Sequence, residues 1–132
     1  MILVRECSIE DALTVARHVS ASEDECASFR GEVVPQPESV CSLLAEVDGS
    51  VVGSVSLVVD AVTVRVTHLY VITAARAVGV GTTLLRAAID RGRASGATQV
   101  SCDVQPGNRR MKNLLEQQGI TAVLIRAERK LD

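Results

Sequence analysis

Leu69-Tyr70-Val71-Ile72-Thr73-Ala74-Ala75-Arg76-Ala77-Val78-Gly79-Val80-Gly81-Thr82-Thr83-Leu84-Leu85 is the stretch on which the reading of this chain turns. An apolar, β-branched run stops at Ile72. Small residues, one arginine and two glycines follow, and apolar residues at helical spacing begin with Leu84. This is a strand, a turn and the opening of a helix. A glycine-bearing turn that feeds a helix N-terminus presents backbone N–H groups without intrahelical partners, together with the positive end of the peptide dipoles. Such a turn suits a phosphate-bearing ligand.

The rest of the composition narrows the ligand and the setting. The 132 residues are 47% hydrophobic, enough for one domain spanning 1–132 with a core of its own. A net charge of −2 gives no general attraction to nucleic acid or to an anionic membrane. Phe29 and Tyr70 are the only aromatic residues, so a base-stacking platform is excluded. Cys7, Cys26, Cys41 and Cys102 show no paired metal-ligand spacing, and three lie in apolar runs where a free thiol packs as a small hydrophobe. No metal site is expected. The apolar run at the N-terminus is too short for a secretory signal, and no stretch reaches membrane-spanning length. A reduced, cytoplasmic setting is the expectation.

Working outward from the turn, residues 40–47, 51–59 and 62–72 are β-branched runs. Asp48-Gly49-Ser50 joins the first two and Asp60-Ala61 the next two, so they predict an antiparallel meander. Gly53 within the middle run marks a bulge or a close approach. Upstream, residues 2–7 read as a strand and Ser8-Ile9-Glu10-Asp11 as a capping box. The helix that follows is expected to bury Ile9, Leu13, Ala16 and Ser20 and to leave His18 on the solvated face. Residues 21–39 are read as a short helix over 24–30 and an irregular loop around Pro35 and Pro37. That loop either shapes a cleft or simply connects.

Downstream, Leu84, Leu85, Ala88 and Ile89 share a helical face that Gly96 closes. A strand over 98–104 ends at Pro106-Gly107. Asn108 then caps a helix bearing Met111, Leu114, Leu115 and Gln118, which Gly119 ends. Residues 121–131 are expected to form a last strand. The fold class is α/β, a mixed sheet with flanking helices.

Three glycine-loop chemistries compete for the turn. A nucleotide-binding loop of the G-x-x-x-x-G-K-[ST] type needs a lysine after its last glycine, and here Gly81 is followed by Thr82. The dinucleotide fingerprint needs a third glycine directly after a strand of a βαβ unit, and neither condition is met. The third fits: Arg76-Ala77-Val78-Gly79-Val80-Gly81 resembles the [R/Q]-x-x-G-x-[G/A] loop of the GCN5-related N-acetyltransferase (GNAT) superfamily. Leu69-Tyr70-Val71 resembles that family's strand end, and Cys102-Asp103-Val104-Gln105-Pro106-Gly107-Asn108 resembles its L-E-V-x-x-x-N segment. Leu114 to Ile120 stand where the family has L-Y-E-K-x-G-F. The order of elements agrees along essentially the whole chain.

The resemblance implies an antiparallel meander followed by strands splayed around a coenzyme A site. It implies an acyl-CoA-dependent N-acyltransferase that moves an acetyl group from acetyl-CoA to a primary amine of a small molecule or a protein. By resemblance Arg76, Ala77, Val78, Gly79, Val80, Gly81 and Thr82 hold the pyrophosphate of acetyl-CoA. Val71, Ile72 and Thr73 line its pantetheine arm like an added strand, and the Val71 N–H faces the thioester oxygen. Asn108 either contacts the cofactor or serves only as a helix cap, and Arg76 is either a phosphate ligand or a solvated turn residue. Arg109, Arg110 and Lys112 attract nucleotide phosphates or form an exposed helix face.

The proton carriers are less definite. The family's usual tyrosine stands at Leu115 here, and its strand glutamates fall on Arg65 and Thr67. Asp103 is the candidate base, its rival reading a solvent-facing strand carboxylate. Tyr70 is a candidate acid on the same side of its strand as His68, opposite Leu69 and Val71, toward a packed helix. Cys102 lacks a basic neighbour that would activate it. A second class of function stays open: a non-catalytic acyl-CoA-binding or interaction domain on the same scaffold. Glu23 to Glu25 either meet a cationic acceptor or end a helix, and pairing of two copies through the last strand gives a homodimer as a further reading.

Overall fold

The computed structural model describes residues 1–29, 35–37 and 41–131. Among them the elements run β1 (Ile2–Glu6), α1 (Ala12–Ala27), β2 (Cys41–Val47), β3 (Ser50–Asp60), β4 (Thr63–Val71), α2 (Val80–Ala94), β5 (Gln99–Cys102) and α3 (Arg109–Gln117). The five strands form one mixed sheet in the order β1-β2-β3-β4-β5. The first three pairings are antiparallel and β4–β5 is parallel. Asp48 and Gly49 connect β2 to β3 with φ of 51° and 80°, the left-handed pair that matches a two-residue hairpin to the twist of its strands. The β3–β4 hairpin turns through Ala61 and Val62, Ala61 at φ 53°.

Two bulges shape the sheet. On β3, Val52 is extra: Ala45 opposes Gly53 while Glu46 opposes Val51. Gly53 beside it is also a close approach, since a Cβ there would lie 2.8 Å from the Tyr70 carbonyl oxygen and 3.1 Å from Leu84. On β4, Thr67 is extra: Ser56 opposes His68 and Leu57 opposes Val66. Pairing between β4 and β5 runs from Thr63↔Gln99 to Val66↔Cys102 and ends where this bulge begins. A bulge bends and twists the strand that carries it. From Thr67 to Val71, β4 therefore keeps β3 on one edge and has left β5 on the other. This is the splay that the fold class required.

Each sheet face has its own helix. Helix α2 places Leu84, Leu85 and Ala88 among Val55, Leu57, Val64, Val66 and Leu69, all buried, to form the apolar core. Gly92 lets α2 lie close on β4, because a Cβ there would stand 2.6 Å from that of Val64. Helix α1 covers the opposite face, and here the sequence expectation is corrected. Ile9 and Leu13 point outward, 96% and 63% exposed, while His18 and Ser22 are buried. The reason is the surface on which the helix lies. Ser42, Ser54, Ser56, His68 and Tyr70 make that side of the sheet polar, so it is matched by hydrogen bonds rather than by an apolar stripe. His18 Nδ1 and Ser54 Oγ are 2.7 Å apart, and Ser42 Oγ and Ser56 Oγ 2.9 Å.

Other expectations are also revised. Glu23, Asp24 and Glu25 belong to the continuous α1 and not to a separate helix over 24–30, whose last residue lies outside the described residues. Of the loop over 31–39, only 35–37 is described, without regular structure. Strand β5 has four residues rather than the seven of 98–104. Residues 121–131 form no strand and are exposed throughout. Helix α2 begins at Val80, directly after Gly79. At the start of α1, Asp11 accepts the Ser8 N–H at 2.7 Å and holds Arg5 in a two-pronged pair at 2.7 and 3.1 Å, while Arg5 Nε reaches Glu46 at 3.0 Å. Among the described residues no helix is long and apolar enough to cross a membrane.

Candidate functional site

The turn after β4 is built to expose backbone N–H groups. Residues Thr73–Ala75 make one 3-10 turn, Ala77 takes φ 69° and Gly79 φ 89°, and α2 starts at Val80. Two left-handed residues in three positions reverse the chain sharply enough to aim the helix N-terminus back at the strand it followed. Its N-cap is Gly79, which has no side chain with which to cap that end. The N–H groups of Val80, Gly81 and Thr82 are thus free of intrahelical bonds. Gly81 faces α3 closely: a Cβ there would meet Leu114 Cδ2 at 3.2 Å.

Helix α3 stands on the other side of the split sheet. Asn108 caps it as its sequence position promised, its Oδ1 accepting the Met111 N–H at 3.2 Å. Ile120 N–H to Leu115 O and Gly119 N–H to Glu116 O, with Gly119 at φ 75°, close its other end. Between the two helices lies a cleft of about 300 Å³ lined by Leu69, Val71, Arg76, Ala77, Gly79, Gly81 and Thr82 on one side and by Arg110, Met111, Asn113, Leu114 and Gln117 on the other. A second cavity of about 380 Å³ adjoins it, lined by Glu25, Ser28, Phe29, Arg76, Gly107, Asn108, Arg109 and Arg110. Arg76 and Arg110 line both.

The end of β4 has one free hydrogen-bonding edge. Ile72 N–H donates to Val52 O at 2.8 Å, toward β3. Successive N–H groups of a strand point to opposite edges. The Val71 N–H therefore faces the side that β5 has left. Arg76 folds back on this strand end, Nε donating to Val71 O at 2.8 Å and the guanidinium carbon 5.6 Å from the centre of the Tyr70 ring. Tyr70 also meets His18, ring centres 5.1 Å apart. Burial lowers the His18 pKa below the ordinary imidazole value.

The sequence-chosen residues divide into those that meet and those that do not. Val71, Arg76, Ala77, Gly79, Gly81 and Thr82 line the cleft; Asn108 lines the adjoining cavity. Val80 is buried in the core, Val78 is 65% exposed, and neither Ile72 nor Thr73 lines the cleft. Tyr70 is half-buried and lies near both His18 and Arg76. Asp103 is exposed and engaged elsewhere: Arg65 Nη2 donates to it at 2.6 Å and Gln36 Nε2 at 3.1 Å. Leu115 is buried in the core. Burial pushes the Cys102 thiol up to about 12, the neighbouring Asp103 adding to the rise. Lys112 pairs with Glu116 on an exposed helix face. The sequence reading did not place Asn113, Leu114 and Gln117 in the cleft. Their signal was spacing, since α3 turns 110, 113, 114 and 117 to one side.

Comparison with known proteins follows the same lines. The family model described as Acetyltransferase (GNAT) family matches residues 8–120. No curated protein matches the sequence. Among solved structures the chain is similar to a putative acetyl transferase from Pyrococcus furiosus, with a TM-score of 0.73, 17% identity, and 99% and 100% of the two chains covered. It is also similar to a ribosomal-protein-alanine N-acetyltransferase from Brucella melitensis, with a TM-score of 0.69, 19% identity, and 100% and 99% covered. A third is the aminoglycoside N-acetyltransferase AAC(6')-Iy in complex with CoA, with a TM-score of 0.74, 17% identity, and 99% and 96% covered. At these identities the structural likeness speaks for the fold; the match over 8–120 speaks for the family. The chain belongs to the GNAT acetyltransferase family.

Proposed function

We propose that this chain is an acetyl-CoA-dependent N-acetyltransferase that acts on a primary amine, folded as one domain over 1–132 and working in the cytoplasm. The observation that carries the reading is the cleft itself. A helix N-terminus behind two left-handed residues, a strand edge onto which the Val71 N–H faces and two arginines converge on one cleft. In this reading Gly79, Val80, Gly81 and Thr82 give their N–H groups to the pyrophosphate, with Arg76, Ala77 and Val78 completing the turn. Val71, Ile72 and Thr73 run beside the pantetheine arm, and Asn108 reaches it from α3. The Val71 N–H receives the thioester oxygen as charge develops on it. The amine nitrogen forms the new bond to the carbonyl carbon, the carbon–sulfur bond breaks, and the proton lost by the amine balances the one that the thiolate takes up. Similarity to a structure solved in complex with CoA supports this choice of ligand.

Asp103 and Tyr70 are the proposed proton carriers. Asp103 serves as base only when Arg65 releases it, and an incoming ammonium group is a competent replacement for that guanidinium. The Asp103–Arg65 pair and the buried Leu115 at the usual tyrosine position favour a second reading, an acyl-CoA-binding domain without turnover. Titration calorimetry with CoA tests what both share: no heat at millimolar CoA rejects them together. Acetyl-CoA with a panel of amines, followed by free-thiol release, separates them. Loss of turnover in Asp103→Asn with CoA binding intact supports the base, and unchanged turnover removes it. A homodimer belongs to the same proposal. The outer edge of β5 pairs with no strand among the described residues, and Val123, Leu124 and Ile125 are 78–98% exposed.

A further inference from the structure

Helix α1 sends one carboxylate to the arginines beside the cleft. Glu25 sits in its last turn and pairs with Arg76, from the turn after β4, and with Arg110, from the first turn of α3, at 3.1 Å for the latter. These are the two guanidinium groups shared by the cleft and the adjoining cavity. One anion on α1 therefore ties together the two walls between which the cofactor would lie.

The surroundings make this a site for negative charge that a protein group is occupying. Neither α2 nor α3 has an acidic residue in its first turn. Acids are the usual complement to the positive end of a helix, and α3 instead carries Arg109 and Arg110 there, against its own dipole. Arg76 is well covered, its side chain 21% exposed, so its charge is expensive to leave unmatched. Glu25, Ser28 and Phe29 at the end of α1 line the cavity beside these arginines. A group that lets go of Arg76 and Arg110 thus changes both spaces at once.

We infer that Glu25 is a positioning residue that acts as an internal counter-anion: it pairs with Arg76 and Arg110 beside the cleft and surrenders them to the phosphates of the incoming cofactor. The inference rests on the CoA reading for the identity of the displacing ligand. Its consequence is linkage. Glu25 stabilises the free protein and opposes cofactor binding by the same amount. Release of its carboxylate frees the end of α1, so the wall of the neighbouring cavity responds to whether the cofactor is present.

The test compares wild type with Glu25→Gln by titration calorimetry, using CoA and, separately, inorganic pyrophosphate. Removal of the competing charge should tighten CoA binding about 1.5- to fivefold, the range set by a partly exposed ion pair. The thermal midpoint of E25Q should be lower than wild type without CoA and equal to it at saturating CoA, a convergence that a merely structural glutamate would not produce. Unchanged or weaker binding in E25Q overturns the inference, since Glu25 would then stay with the arginines in the complex. If wild type binds no CoA, the functional reading fails by itself, and pyrophosphate decides the rest: E25Q must bind it more tightly than wild type or the counter-anion is rejected too. Glu25→Asp, which withdraws the same charge by one methylene, replaces E25Q should that variant not fold, with the same sign expected.

Discussion

His18 lies under Ser54 and beside Tyr70, where burial favours its neutral form and lowers its pKa. Because the folded value is below that of the unfolded chain, the unfolded state takes up a proton first as pH falls. The stabilising contribution of neutral His18 is therefore complete above about pH 6.5 and is lost as pH drops from there to the folded value. Thermal unfolding at pH 7.5 and 5.5 should show a drop in wild type that His18→Gln reduces; an equal drop in both would assign the acid sensitivity to other groups. The same face illustrates what sequence spacing misses. Ile9 and Leu13 outscore His18 as core residues by composition, yet the strands offer this helix serines, a histidine and a tyrosine, and only a polar helix face can answer them. Cys102 is the converse case. Its apolar run read correctly as a packed thiol, and a pKa raised to about 12 by burial keeps it protonated at neutral pH. Iodoacetamide at pH 8 should modify exposed Cys7 well before Cys102, as peptide mapping over time would show. Faster labelling at Cys102 would mean that the site opens.

Punctuated elements were legible and unpunctuated changes within them were not. Asp48-Gly49, Gly96, Asn108 and Gly119 each fix a backbone geometry that few other residues favour, so the hairpin and three helix ends stood in the sequence. The bulge at Thr67 carries no such mark, although it decides where β4 parts from β5 and hence where the cleft opens. Of the cleft, the glycine turn could be read because its chemistry is in the backbone. The α3 wall and Glu25 could not, because their positions follow from packing between distant segments. Two substitutions probe this level. Asn108→Ala removes the cap of α3 and should cost about 0.5–2 kcal/mol in denaturant unfolding. Gly92→Ala places a methyl group 2.6 Å from the Val64 Cβ, where both backbones are fixed, and should cost about 1–3 kcal/mol. If G92A is as stable as wild type, α2 does not lie on β4 as closely as described.

At the scale of the whole molecule, residues 121–131 stand apart from the rest. Residues 123–125, Val-Leu-Ile, followed by alternating charges, read as a strand, yet no element is built from them and their side chains meet water. An exposed apolar run and an unpaired parallel strand are the two liabilities that sheets normally cover. β5, with four residues, is the parallel edge strand and pairs only with β4 among the described residues. The proposed homodimer covers both by laying the run of one copy along β5 of the other, so that strand propensity is satisfied between chains rather than within one. That arrangement separates assembly from folding, because among the described residues the core around α2 draws on nothing beyond Ile120. A chain ending at Ile120 should keep its unfolding free energy to within about 0.5 kcal/mol per protomer when dilute, as expected for removal of exposed residues. By sedimentation at tens of micromolar, the full chain should run as a dimer and the shortened one as a monomer. Leu124→Lys in the full chain should reproduce the monomer without shortening, by placing a charge in the covered run. A full-length monomer across that range rejects the pairing, and a shortened chain that unfolds would show that the run packs on its own molecule instead.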